Sequence, residues 1–239
     1  MAASNMGVKR VMYWRQPASS RTMQNFLELS AAAQSRLNVL DERASRWSAE
    51  VTLRKRADEP DAPGMFVSLT AKDVAPEVFS CAFESPETHP NAHPNPRSPT
   101  RSVLVLRGER RCVEGDVPVK EYLSRCKTYK LAHKSKVDGV RFWAGDFAVG
   151  VARVENMQGT YVGAVVEIEY APLSDARAAA AALDEYAAHV ADAVRSAEGG
   201  EGGELVPVPP DLLGSYGLED EPFGDAHTAV MYVHALAAM

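Results

Sequence analysis

The sequence predicts an α+β protein in which about eight antiparallel strands form a closed or half-closed β-barrel with flanking helices. Three observations carry that expectation. Strand patterns follow one another with amphipathic helix patterns inserted between them, without the strict β-α alternation of a parallel sheet. Strands of about ten residues span roughly 30 Å, a length at which twisted sheets curl toward closure. The longest strand signal, residues 141–170, folds back on itself. In it Phe147, Val149 and Val151 alternate with Ala148, Gly150 and Ala152, and Val162, Ala164, Val166 and Ile168 alternate with Gly163, Val165, Glu167 and Glu169. With Asn156-Met157-Gln158-Gly159 as the loop, Arg153 falls opposite Val162, Val151 opposite Ala164, Val149 opposite Val166, and Phe147 opposite Ile168. Every large aliphatic then shares one face, and a slip of one residue would turn one arm's apolar set toward water. Small residues on the reverse face leave room for another backbone to approach.

The remaining elements are read in chain order. Residues 9–14 form a short first strand, and Pro17 with Ser19 and Ser20 supplies a stop and a helix N-cap. A helix follows from about Arg21, with Met23, Phe26, Leu27, Ser30, Ala33, Leu37 and Leu40 on one stripe. Trp47, Ala49, Val51 and Leu53 alternate with polar residues as a half-buried strand, which residues 58–64 end. Residues 65–70 and 78–84 are two further strands, the second placing Phe79, Cys81 and Phe83 on one side. Residues 85–101 hold five prolines and almost no apolar side chains, which predicts a disordered surface insertion. Residues 102–107 and 111–114 pair as a hairpin around Gly108-Glu109. The spacing of Val119, Tyr122 or Leu123, Cys126, Tyr129 or Lys130, and His133 predicts a second helix over 119–133. After Pro172, Ser174-Asp175 cap a helix with Ala179, Leu183, Tyr186, Ala187, Val190 and Val194 inward. A Gly/Pro-rich linker occupies about 197–210, and residues 226–238 form a last helix that docks back through Ala229, Val233 and Leu236.

At 239 residues one domain spanning 1–239 is expected, and 46% apolar content is enough for a sizeable core. A formal charge of -6 argues against nonspecific nucleic-acid binding over the whole surface. The start has no apolar signal-peptide core, and no run of about 18 apolar residues occurs, so neither secretion nor a membrane span is expected. Cys81, Cys112 and Cys126 lack C-x-x-C spacing and fit a reducing compartment better than a disulfide or zinc site.

Among chemical constellations, Glu167-Ile168-Glu169 stands out, because alternate strand residues share a face and two carboxylates there could hold a divalent cation, with Asp146 joining them. Inside a barrel facing Arg and Lys, such a pair would resemble a metal-dependent triphosphate-tunnel phosphohydrolase. That family carries a lysine two residues after the second glutamate, where this chain has Ala171, and the bland alternative is a pair of solvated glutamates on an outer face. The run Lys120, Arg125, Lys127, Lys130, Lys134 and Lys136, with Tyr122 and Tyr129 among it, is a candidate partner-contact face for an acidic protein surface or a single-stranded nucleic acid. Its default reading is the hydrated face of an amphipathic helix. His89 and His93 are four apart, but Pro90 and Pro94 prevent the helix that would align them on a metal. Gly199, Gly200, Gly202 and Gly203 lack the Lys and Ser/Thr of a phosphate loop, and no G-x-S-x-G nucleophile elbow is present.

Several stretches together resemble the Mediator subunit 20 family. Met6-Gly7-Val8 with Val11 resembles its initiating M-G-V segment, which would make residues 1–5 an extension or an upstream start, and Phe79-Ser80-Cys81 with Phe83-Glu84 resembles its S-C-F-x-x-F-E strand with a residue or two missing. Residues 136–154, including Asp146-Phe147, resemble the segment ending in D-F-x-V-x-x-G-x-V. Val166-Glu167-Ile168-Glu169-Tyr170 with Pro172 resembles V-E-V-E-Y-x-P, and residues 228–236 resemble the last helix. The proline-rich insertion and the glycine-rich linker depart from the pattern. The resemblance implies a nuclear, non-enzymatic protein of antiparallel barrel fold, without cofactor, metal site or sequence-specific nucleic-acid binding. It further implies pairing with Mediator subunit 18, tethering through subunit 8, and contact with RNA polymerase II and the initiation machinery, including TATA-binding protein. The acid pair is then part of a strand with no known activity.

Overall fold

The computed structural model describes residues 7–17, 21–37, 45–56, 77–83, 101–115, 125, 129–195 and 203–239. Nine strands form among them: β1 (Val8–Arg15), β2 (Ser45–Arg56), β3 (Glu77–Phe83), β4 (Arg101–Leu106), β5 (Arg111–Gly115), β6 (Tyr129–Ala144), β7 (Phe147–Glu155), β8 (Tyr161–Tyr170) and β9 (Glu204–Pro207). They pair antiparallel into one sheet in the order β5-β4-β3-β2-β6-β7-β8-β1-β9. The helices are α1 (Met23–Arg36), α2 (Ala176–Arg195), the one-turn α3 (Leu212–Ser215) and α4 (Asp225–Ala237).

The expected alternation is present in the β7–β8 hairpin, but its register is shifted by two residues: Val151 lies opposite Val166, Val149 opposite Ile168, and Phe147 opposite Tyr170. The difference arises at the loop, where an irregularity between Val154 and Glu155 lengthens the connection and Asn156 closes it by accepting from the Gln158 and Thr160 amides. An even shift keeps every side chain on its predicted face, so Val149, Val151, Val166 and Ile168 are all fully buried together. The first part of the 141–170 stretch belongs to a different strand. Phe142 pairs with Val149 as part of β6, making a three-stranded meander.

The aliphatic face is covered by α1 and α2. Thr22, not Ser19 or Ser20, caps α1, its hydroxyl accepting from the Asn25 amide at 3.2 Å. The buried stripe of α1 is Phe26, Leu29, Ser30, Ala32 and Ala33, while Met23 and Leu27 are exposed. Helix α2 begins as expected at Asp175, whose carboxylate accepts from the Arg177 and Ala178 amides at 2.8 and 3.0 Å. It buries Ala179, Leu183, Ala187, Val190 and Val194. Buried Arg10 on β1 pairs with Asp184 of α2 across this layer.

The opposite face of the sheet receives α4, whose residues 226–233 are all buried, as a helix apolar all round requires. That one helix touches both β1 and β4, which lie six strands apart in the sheet order. Six strand spacings span about 29 Å, against a helix diameter of about 10–12 Å, so the sheet must curl around α4. The barrel expectation is corrected accordingly. Among the described residues the sheet is not closed: β5 and β9 end it, and α4 fills the concavity.

Two further expectations fail. Residues 129–133 are not helical but open the long strand β6, which pairs with β2 along twelve residue positions. The glycine- and proline-rich linker contains β9, a four-residue edge strand in which Leu205 is buried, followed by buried Val208. Its proline falls at the strand's end, where a ladder tolerates one. The expected strand at 65–70, the proline-rich segment up to residue 100 and most of the expected helix over 119–128 lie outside the described residues.

Candidate functional site

Charged side chains collect on the concave face, beside α4. Lys9 of β1 lies directly across from Glu169 of β8, and Glu167 lies across from Gly150 of β7, which in turn faces Arg141 of β6. Because β7 presents the small residues Ala148, Gly150 and Ala152 on this side next to Arg141, its guanidinium can reach over the strand to both glutamates. A side chain at Gly150 would also crowd the Trp47 ring, whose atoms would stand 3.2 Å from an added Cβ. The small residues recognised as room for close approach are therefore filled by a guanidinium and an indole.

The contacts link into one network. Lys9 Nζ is 3.0 Å from Glu167 Oε1 and 3.7 Å from Glu169 Oε2. Arg141 pairs with Glu169 and stands 3.9 Å from Glu167 Oε1. Tyr232 of α4 donates its hydroxyl to Glu167 Oε2 at 3.0 Å, and the amide of Gly7 donates to Glu169 Oε1 at 3.1 Å. Gly7 is pressed against β8 so closely that an added Cβ would lie 2.4 Å from the Tyr170 carbonyl oxygen, so no other residue fits without movement. Chain start, central sheet and last helix are tied at one place.

Burial opposes ionisation of Glu167, but Lys9 and Arg141, with hydrogen bonds from Lys9 and Tyr232, outweigh it and hold its carboxyl below the usual range. Arg141 is held firmly protonated: Glu167 and Glu169 overcome the burial that would otherwise release its proton. Burial and then the Glu167 charge push the Tyr232 hydroxyl well up, fixing it as a donor. Two cations balance two anions in a site with side chains no more than about 12% exposed. A divalent cation added there would find its carboxylates already neutralised.

The glutamates thus sit where the tunnel-enzyme reading required them, on the concave face with Lys and Arg, and not on a solvated outer face. The arrangement nevertheless spends them on fixing α4. Asp146 does not join them; it is exposed in the β6–β7 turn, where its carbonyl accepts from the Ala171 amide. Among the described residues no group of three His, Cys, Asp or Glu could hold a metal ion.

The basic run does not form one helical face. Lys130 is exposed on β6, and Lys134 on the same strand pairs with Glu50 at 2.8 Å. Arg125 is exposed and helical, while Lys120 and Lys127 lie outside the described residues, as do His89, His93 and Cys126. Cys81 is buried against α4, its thiol donating to the Ala229 carbonyl, and burial pushes its pKa far up; burial and Glu114 push Cys112 up to about 12. Both stay protonated and weakly nucleophilic.

Lys9, Arg141 and Tyr232 were missed from the sequence. The signal for them is a charged or hydroxylated residue at an inward position of an otherwise apolar element: Lys9 two before Val11, Arg141 facing Gly150, and Tyr232 among Val230, Met231 and Val233.

No helix among the described residues is long and apolar enough to cross a membrane. A family model described as the TATA-binding related factor of subunit 20 of Mediator complex matches residues 6–237. Mediator of RNA polymerase II transcription subunit 20b of Arabidopsis thaliana is 23% identical over 187 residues, covering 76% of this chain and 74% of that protein. Among solved structures, a chain of the Schizosaccharomyces pombe Mediator head module is 12% identical with a TM-score of 0.40, over 84% of this chain and 100% of that one. The S. pombe RNA triphosphatase in complex with the Spt5 CTD is 10% identical with a TM-score of 0.37, over 79% of this chain and 84% of that one.

Proposed function

Because this chain belongs to the Mediator subunit 20 family, with a match that runs over residues 6–237, we propose that it is a structural and regulatory subunit of the Mediator head module. In this reading it acts in the nucleus by association, without catalysis, as one domain spanning the whole chain. It pairs with Mediator subunit 18, is tethered through subunit 8, and helps relay regulatory signals to RNA polymerase II and the initiation machinery, TATA-binding protein included. Lys120, Arg125, Lys127, Lys130 and Lys134 are its candidate contacts with an acidic partner surface.

The observation that carries the reading is the seating of Tyr232 on Glu167. A tunnel phosphohydrolase needs its concave face open to a triphosphate and a metal. Here the chain's own last helix occupies that face, leaving the outer surfaces for recognition. Three of the segments that resemble the family, around Gly7, Glu167–Glu169 and Tyr232, meet at this point, which supports a scaffold whose geometry is the product.

Co-expression with subunit 18 tests it. A single heterodimer peak on size exclusion at micromolar concentration is expected, weakened at low salt by charge reversal at Lys130. Two separate peaks would count heavily against the pairing.

A further inference from the structure

Strand β6 outruns its neighbour on one side. It pairs with β2 from Arg141 back to Tyr129, whereas β7 leaves it at Lys136, opposite Glu155, and turns away at Asn156. Strand β3 flanks the far side of β2 as far as Lys55. Over residues 129–135, β6 is therefore a rim of the sheet, and among the described residues no strand and no backbone hydrogen bond meets its outer edge. Lys130, Leu131, Ala132 and His133 are all exposed, Leu131 by 41%, so both faces of this end are solvated as well as its edge.

Charge is segregated onto the same place. Residues 53–56 of β2 and 129–136 of β6 include six lysines and arginines and no Asp or Glu, in a chain whose net charge is -6. Lys134 is matched by Glu50 at 2.8 Å, and Lys136 has Glu50 and Glu155 as its cross-strand neighbours. Lys130 has no such match: it lies directly across from Lys55, is exposed, and forms no ion pair among the described residues. Like charges directly opposite one another weaken a strand pair, and neither strand end supplies a carboxylate to offset the cost. The pairing also slips between Leu53 and Arg54, where Ala132 is passed over. Such a bulge bends the rim, which hinders a long flat strand from stacking on it and leaves room for a short one.

Resting on the association reading above, we propose that the outer edge of β6 over residues 129–135 receives a short, acidic, extended segment of a partner polypeptide as an added strand. The backbone N–H and C=O groups of the rim supply affinity, as in other strand additions. Successive strand residues point to opposite faces, so Lys130 selects acidic side chains on one face of the segment and Leu131 takes apolar ones on the other. A second copy of this chain fits poorly, because it would bring the same six cations against these. A nucleic-acid strand would use the charge but neither the peptide edge nor Leu131.

The test uses the full chain and a labelled peptide of alternating Glu and Val, with its Lys/Val counterpart, the Glu/Val peptide with N-methylated amides, and a single-stranded oligonucleotide as controls. The Glu/Val peptide is expected to bind at least about tenfold more tightly than either peptide control, and saturation to slow amide exchange over residues 129–135. Lys130→Glu removes the like-charge pair with Lys55, so its thermal midpoint should hold or rise while affinity for the Glu/Val peptide falls at least about tenfold. Equal affinity for the methylated peptide, protection that avoids residues 129–135, unchanged binding by Lys130→Glu, or tighter binding of the oligonucleotide would each overturn the added strand. Pairing with subunit 18 is scored separately by size exclusion. A chain that pairs but binds no peptide overturns the edge site alone; one that binds the peptide without pairing removes that partner and upholds the edge site.

Discussion

The two faces of the sheet bury their contents by opposite means. Under α1 and α2 the interior is mainly aliphatic: Val149, Val151, Val166 and Ile168 are fully buried with Leu183, Val190 and Val194, and buried Arg10 reaches out to the exposed Asp184 at its edge. Against α4 the interior is mixed, with Lys9, Arg141, Glu167 and Glu169 beside Trp47, Cys81 and Tyr232. The dry face draws its stability from area removed from water, which grows smoothly with each methylene and depends little on exact position. An ionic interior gives little net driving force, because desolvation cancels most of the Coulomb gain, but it is severe about geometry. One face therefore holds the molecule together, and the other decides where the last helix and the chain start must lie.

The largest expected effect would come from unbalancing the ionic side. Arg141→Met leaves two buried carboxylates with Lys9 alone and is expected to cost about 3–5 kcal/mol. Trimming the dry side by one methylene, Ile168→Val, should cost about 0.5–1.5 kcal/mol. Chemical denaturation of both variants gives the comparison directly. If Arg141→Met proves no worse than Ile168→Val, the cluster is a screened surface pair and the contrast between the faces collapses.

The same contrast explains what could be read from the sequence. The dry face was legible because alternation of Val149 and Val151 with Ala148 and Gly150 states its own period, and the register error of two left that face intact. Strand β6 was not legible over 129–133. Of its inward positions from 135 to 141, Ser135, Gly139 and Arg141 are polar or small and Val137 alone is aliphatic, so apolar alternation is weak and a helical spacing ending at His133 takes its place. Strand β9 was hidden by its composition: four residues ending in Pro207 suffice at an edge, where half the ladder bonds are absent anyway. The acid pair was visible as a motif, but its meaning depended on Tyr232, sixty-five residues later in the chain. No local pattern encodes that contact.

Acid should loosen the two faces in order. Besides Glu167, the α4 side holds two histidines whose pKa values are lowered, His227 chiefly by burial and His234 by burial and then Arg110 and Arg107, to about 4. His227 is fixed as a neutral ring: Nδ1 accepts from the Gly224 amide at 3.1 Å, and Nε2 donates to the Leu218 carbonyl at 2.9 Å. For a histidine lowered by folding, stability is complete above the unfolded value of 6.5 and declines as the pH falls toward the folded value. Allowing for the half-exposed position of His234, the loss between pH 7 and pH 5 should be on the order of 1 kcal/mol. Glu167 adds to it only below its ordinary 4.5, where the unfolded carboxyl protonates first. Amide exchange followed against pH is expected to show α4 losing protection before α2. Simultaneous loss would mean that the two faces unfold as one unit and that the titrating groups of α4 have no local effect.

The sharpest discriminator is a pair of matched substitutions, one on each face, whose effects should differ in sign. Tyr186 of α2 stacks on Phe147 with ring centroids 3.9 Å apart and planes within 2°, and Phe147 in turn meets Tyr170 at 4.9 Å. Its hydroxyl oxygen is shielded from solvent and has no hydrogen-bond partner among the described residues, and burial pushes its pKa up. Tyr186→Phe keeps the stack and removes a stranded polar atom, so stability should rise by up to about 1 kcal/mol. Tyr232→Phe removes the same atom on the other face, where it donates to a buried carboxylate, and should lower stability by about 1.5–3 kcal/mol. Equal shifts of one sign in the two denaturation midpoints would show that the hydroxyl environments do not differ. Opposite signs would tie the polarity of the concave side to the seating of α4, since the Tyr232 hydroxyl has a charge to hold and the Tyr186 hydroxyl does not.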